Sequence, residues 1–326
     1  MSKGNLFEES ISVDRQHPQF ISLLNSEVHG CAREYINSTF EKMGDPNGSF
    51  IKYFQGSGFH SRLFELACFA YLEECGLKID RNYENPDFIG VSENVGLAIE
   101  CVTANPSNGQ KTDISLTQMV NYANGELMDK ITHEVPKRLG RILWKKLNHH
   151  YQDLPHCLGL PLVLVIAPFF EGGSLLYTDH CLIEYLYGSP EGDNSQDAFF
   201  GKDKSRHISA VLFCNRFTVS KFLRISTDFK GLNDYKTILS GYAYQSIDVE
   251  NYRLIHFSRV LGDENTPELW SEGVTLYENP NAAIPLEKEV LKCSSRIYVE
   301  DGYVCRDVYG FHPLSSSTIL HAVSST

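Results

Sequence analysis

The stretch Pro161 to Phe170, PLVLVIAPFF, constrains the fold more than any other part of this chain. It is apolar at every position, so it lacks the alternation of a strand with one wet face. The longer run around it, Leu158 to Phe170, is interrupted by Gly159, Pro161 and Pro168 and is too short for a membrane-spanning helix. A buried strand with helices over both faces satisfies it, and that solution makes the protein α/β. A second run, HISAVLFC at 207–214, continues the same sheet.

The elements upstream follow a definite order. FHSRLFELACFAYLEECG, residues 59–76, has helix-forming content, Ser61 as an N-cap and Gly76 just past its end. Short β-like runs follow at Leu77 to Tyr83, Asp87 to Val91 and Val95 to Thr103, the last two parted by the polar turn SEN. After a polar segment from Ala104 to Pro136 comes a basic helix, KRLGRILWKKLNHHY, and then the buried strand. The order is helix, three-strand meander, helix, strand.

Three regions result: an N-terminal helical extension at 1–58, an α/β core at 59–215 and a C-terminal β-rich elaboration at 216–326 packed on the core. Within them, Ser174 to Tyr187 reads as a helix, and ENPNAAIPLEKEV as a turn with a short helix from near Pro285. RIYVEDGYVCRDVY reads as a hairpin, because Asp301-Gly302 suits a type I′ turn.

Composition narrows the function classes. The N-terminal MSKGNLFEES has no apolar signal region, which points to a cytoplasmic protein without membrane association. Nine cysteines without a C-x-x-C pair argue against a disulfide framework and against structural zinc. A formal charge of −12 argues against a protein that coats nucleic acid nonspecifically, although a local basic groove is compatible with it.

Chemistry concentrates at ENPDFIGVSENVGLAIECVTANP, residues 84–106. Strand alternation puts Glu100 on the face of Ala98 and Val102, with Leu97, Ile99 and Cys101 on the other. Asp87 opens the preceding strand, and the turn folds it back toward Glu100. Two converging carboxylates need a cation, and Mg²⁺ or Mn²⁺ suits one or two carboxylates plus water and phosphate. Glu65, on the 59–76 helix, has Cys68, Phe69 and Leu72 at helical spacing and is a third candidate ligand.

In these residues the chain resembles the restriction-endonuclease-like nuclease superfamily, whose signature is P-D, a spacer and (D/E)-x-K. Here it reads Pro86-Asp87, a spacer, Glu100-Cys101-Val102. The element order over residues 59–167 is also that of the superfamily core. The resemblance implies metal-dependent hydrolysis of nucleic acid, DNA before RNA, in a setting such as restriction, repair or anti-phage defence, with room for a homodimer or a protein partner. It also implies metal ligation by Glu65, Asp87, Glu100 and the Cys101 carbonyl.

Val102 stands where the family has its lysine. Either a lysine has migrated from another element, or the chain is an inactive nuclease-fold scaffold. The basic helix offers Lys137, Arg138, Arg141, Lys145 and Lys146, among which Lys145 is the first choice and Lys137 the second; Lys111 is a further candidate. Gln118 to Tyr122 matches the Q-x-x-x-Y motif of the helicase-associated exonuclease branch.

Plainer roles compete with these. Asp87 can shape a strand entry, Glu65 can pair with Arg62 across one turn, and a basic helix is commonly a solvated face. His149, His150 and His156 lack any zinc-site pattern and suit surface or helix-end positions. Serine hydrolase chemistry lacks its G-x-S-x-G elbow. Arg216, Lys221 and Arg224 suit either a nucleic-acid backbone or an exposed sheet edge.

Overall fold

The computed structural model describes residues 4–92, 95–106, 111–112, 114, 126–188, 196–230, 235–248, 251–261 and 267–322. A mixed sheet of eight strands carries helices on both faces, as the apolar runs require. It begins with a meander of β1 (Lys78–Asp80), β2 (Phe88–Val91) and β3 (Gly96–Thr103), in which neighbours are antiparallel. β4 (Leu162–Ala167) then pairs parallel to β3, and β5 (Ala210–Phe213) parallel to β4. Every residue of β4 and β5 is buried, which explains their continuous apolar runs.

One face is covered by N-terminal helices α1 (Pro18–Asn25), α2 (Gly30–Met43) and α3 (Phe50–Gln55), together with α4 (Phe59–Glu74). α4 is buried almost all round, so its sequence shows no clean apolar stripe. It starts at Phe59 after Gly58, so Ser61 lies within the helix and is not its cap; Gly76 follows it with φ +83°, as a helix-ending glycine should.

The opposite face holds α6 (Val135–Leu147), preceded by the single turn α5 (Glu126–Asp129) and followed by α7 (Ile183–Tyr187). α6 buries Val135, Leu139, Leu143 and Leu147 at four-residue intervals. The helix expected over 174–187 is instead two 3-10 turns and the short α7.

The C-terminal region does not simply pack on the core. Its strands β8 (Thr275–Glu278), β9 (Ser295–Glu300) and β10 (Tyr303–Val308) extend the same sheet beyond β5. β9 and β10 form the expected hairpin, with φ +51° at Asp301 and +82° at Gly302. β6 (Tyr235–Ser246), β7 (Tyr252–Val260) and β11 (Phe311–Ala322) make a second sheet in the order β11-β6-β7. The segment after Pro285 forms turns rather than a helix. Residues 216–224 are not a sheet edge, for they lead into α8 (Val219–Lys230), which packs beside α2.

No described helix is long and apolar enough to cross a membrane.

Candidate active site

The β2–β3 register pairs Phe88 with Ile99, so Asp87, one residue earlier, comes opposite Glu100. Each carboxylate accepts from a backbone amide at or next to the other acid. The Asp87 N–H donates to Glu100 Oε2 at 3.1 Å, and the Cys101 N–H donates to Asp87 Oδ2 at 2.8 Å. Burial and the charges of Glu100 and Glu65 raise the Asp87 carboxyl well above its usual range, with Lys146 opposing them. These acids are therefore electrostatically crowded, and the Lys146 ammonium relieves the crowding only in part.

Glu100 is 4% exposed and forms an ion pair through Oε1 with the Lys146 ammonium. Lys146 comes from the last turn of α6, whose leucines seat the helix over the face that carries Ala98 and Glu100. Val102, 7% exposed, lines the pocket into which Lys146 also projects. A lysine thus reaches Glu100 from the next helix.

It is the neighbour of the residue expected. Successive helical residues point about 100° apart, so only the seating of α6 decides which lysine meets Glu100. Lys145 lines the open pocket alongside. Lys137 borders a different one of 390 Å³, with His133, His180 and Tyr185. Lys111 donates to the Arg15 and Gln16 carbonyls at 3.0 and 2.9 Å, tying down the N-terminal segment. Gln118 to Tyr122 lie outside the described residues.

Glu65 is buried but directed to arginines: Arg62 at 2.5 Å on one oxygen and Arg81 at 2.6 Å on the other. Its charge is felt at Asp87, yet guanidinium groups hold both of its oxygens, whereas Glu100 meets one ammonium and one backbone amide. Among the described residues no group of three or more His, Cys, Asp or Glu is gathered as a metal cluster. The carboxylates that could hold a cation are therefore Asp87 and Glu100, a set that would fit Mg²⁺ or Mn²⁺ completed by water and phosphate better than zinc. The Cys101 thiol sits against Cys68, where burial pushes it up, so that residue could offer only its backbone.

Beside the acids opens a pocket of about 530 Å³. Arg138, Arg141, Lys145 and Lys146 line it, with no carboxylate among its lining residues, on a chain of net charge −12. Ser61, Thr103 and Asn105 form a hydrogen-bonded group at its edge, with Ser61 Oγ and Thr103 Oγ1 2.7 Å apart. Sequence reading took Ser61 for a helix cap and gave Thr103 and Asn105 no role, although TAN, closing the motif strand, was the available signal. His156 accepts a plainer role: it stacks on Tyr83 at 3.7 Å and reaches the Asn85 carbonyl at 2.7 Å, bracing the approach to Asp87.

Two other charged clusters are structural. Arg216, Lys221 and Arg224 are buried around Glu268, with Arg224 2.6 Å from its carboxylate, and so are not positioned for a nucleic-acid backbone. Their sequence signal misled because a buried cation and an exposed one look alike in one chain. Ser294, His312 and Asp179 form a hydrogen-bonded line, but all three are buried and Ser294 Oγ also accepts from the Gly273 N–H.

Comparisons with protein-family models, curated proteins and solved structures returned no match for this chain.

Proposed function

We propose that the chain is a divalent-metal-dependent nuclease that hydrolyses phosphodiester bonds, with DNA as the first substrate to test. The observation that carries the reading is Asp87 and Glu100 facing each other on adjacent strands, with Lys146 brought to Glu100 beside Val102. The element order supports a restriction-endonuclease-like core: α4, an antiparallel meander, α6, then a strand parallel to β3.

Asp87 and Glu100 would hold Mg²⁺ or Mn²⁺. When bound, the ion supplies a more acidic water and stabilises charge on the phosphate. Lys146 holds and orients the attacking water, and its ammonium balances developing negative charge. Arg141 and Lys145, along the pocket, position the neighbouring phosphates. Glu65 serves the site indirectly, as the anchor of Arg62 and Arg81 on α4 and the loop after β1.

Asp87→Ala and Glu100→Ala should each abolish Mn²⁺-dependent cleavage of DNA oligonucleotides while keeping the thermal transition of the unmutated protein. Full activity in either variant would remove the site. Binding without cleavage by the unmutated protein, across DNA and RNA and with both metals, would identify a scaffold instead.

A further inference from the structure

Tyr151 carries a polar group for which the chemistry above has no use. It opens a 3-10 turn, Tyr151–Asp153, immediately after His150, which lies three residues past the end of α6 and takes the left-handed conformation at φ +53°. The ring is 1% exposed, packs in the core shared by Ala98, Leu162 and Leu164, and stacks on His149 at 5.6 Å. A phenylalanine would fill that space as well.

The hydroxyl is therefore the residue's distinguishing feature: it is buried toward Glu100, yet among the described residues it completes no hydrogen bond of ordinary geometry. Leaving such a group unpaired costs about 1–3 kcal/mol, so a native chain that retains one calls for a reason. Burial, together with the charge of Glu100, toward which the hydroxyl is directed, and beyond it that of Asp87, keeps the phenol in its neutral, donating form. Glu100 Oε1 is taken by Lys146, and Oε2 by the Asp87 N–H. The hydroxyl stands beside a carboxylate whose oxygens are already engaged.

Lys146, however, also lines the phosphate pocket. An ammonium on a flexible stem can serve the carboxylate or a substrate phosphate and water, and drawing it to the substrate frees Glu100 Oε1. We infer that Tyr151 is a positioning residue, whose hydroxyl donates to Glu100 when Lys146 turns into the pocket and so keeps that carboxylate aimed during the reaction. The inference rests on the nuclease reading and adds to it a residue outside the motif. It also gives the unpaired hydroxyl a partner in one of the two states.

The test is Tyr151→Phe in the full chain, alone and combined with Lys146→Ala. Mn²⁺ affinity is measured by calorimetry, and cleavage of a DNA oligonucleotide gives kcat and KM. The single variant should keep its thermal midpoint and KM while kcat falls about 10-fold, the lower range for groups that orient metal ligands. In the Lys146→Ala background, Tyr151→Phe should weaken Mn²⁺ binding about 10-fold, because the phenol is then the remaining side-chain donor to Glu100. An unmutated protein that binds Mn²⁺ and cleaves, with Tyr151→Phe matching it in kcat and in Mn²⁺ affinity in both backgrounds, overturns this inference alone. Absence of Mn²⁺ binding and cleavage in the unmutated protein overturns the nuclease reading together with it.

Discussion

Glu100 explains why a strand that is otherwise apolar accepts a carboxylate. Its charge is met by the Lys146 ammonium and by the Asp87 amide, and the leucines of α6 deliver that ammonium to an otherwise closed face. Truncating Lys146 would leave Glu100 buried with its charge unbalanced and the water without its orienting group. Lys146→Ala should lower single-turnover cleavage by more than about 100-fold, the lower range for a positioned proton-transfer or orienting group. Val102→Lys in that background places an amine on the same strand face and should recover part of the rate. Unchanged cleavage in Lys146→Ala would show that this amine does not take part.

At the scale of elements, α6 divides its labour between faces. Leu139, Leu143 and Leu147 grip the sheet, while Arg138, Arg141 and Lys145 line the pocket. Gly140 lets the helix lie close to α7, since a Cβ there would stand 2.0 Å from the Tyr185 ring. If the outer cations neutralise phosphates, their removal weakens binding evenly across sequences and reduces its salt dependence. Replacing Arg141 and Lys145 together by Ala should flatten the slope of log K against log salt by about one for each phosphate that is no longer neutralised, with kcat at saturation nearly unchanged. Binding titrations between low and moderate salt check this, and an unaltered slope would place the nucleic acid elsewhere.

Across the whole molecule, Asp179 ties the two sheets together. It accepts from Thr275 on β8 at 2.7 Å and Arg306 on β10 at 2.8 Å, and lies 3.2 Å from His312 on β11. Burial raises its carboxyl, but Arg306, His180 and His312 outweigh that and hold it well below the usual range. Burial also depresses His312, against the pull of Asp179. Both folded-state values lie below the unfolded ones, so both groups contribute stability that is complete above the unfolded pKa and is lost as pH falls toward the folded one. The thermal midpoint should therefore begin to fall as pH drops below about 6.5, where the unfolded histidine gains its proton, and fall further below about 4, where unfolded aspartates do. Asp179→Asn should cost about 3–5 kcal/mol at neutral pH, because it leaves Arg306 buried without its counter-charge, and should remove the steeper acid limb. A midpoint that is flat from pH 7 to 4 would contradict this account.

The sequence by itself determined whatever depends on local pattern. Continuous apolar runs at 162–167 and 210–213 meant buried strands and hence an α/β sheet; Asp301-Gly302 meant a hairpin; and the alternation around Ile99 put Glu100 and Val102 on one face. The approach of Asp87 to Glu100 was legible for the same reason, since a short turn between two strands fixes their register. Tertiary structure alone decided the rest. The choice of Lys146 over Lys145 depends on how α6 rotates on the sheet, and the turning of Glu65 toward Arg81 depends on where the chain after β1 returns to α4. The burial of Arg216, Lys221 and Arg224 around Glu268 joins residues more than forty positions apart, and the unpaired Tyr151 hydroxyl acquires meaning only beside Glu100. Local periodicity fixes the direction of a side chain within its own element, whereas the partner it meets is set by packing between elements, and the chemistry of this site lies in those partners.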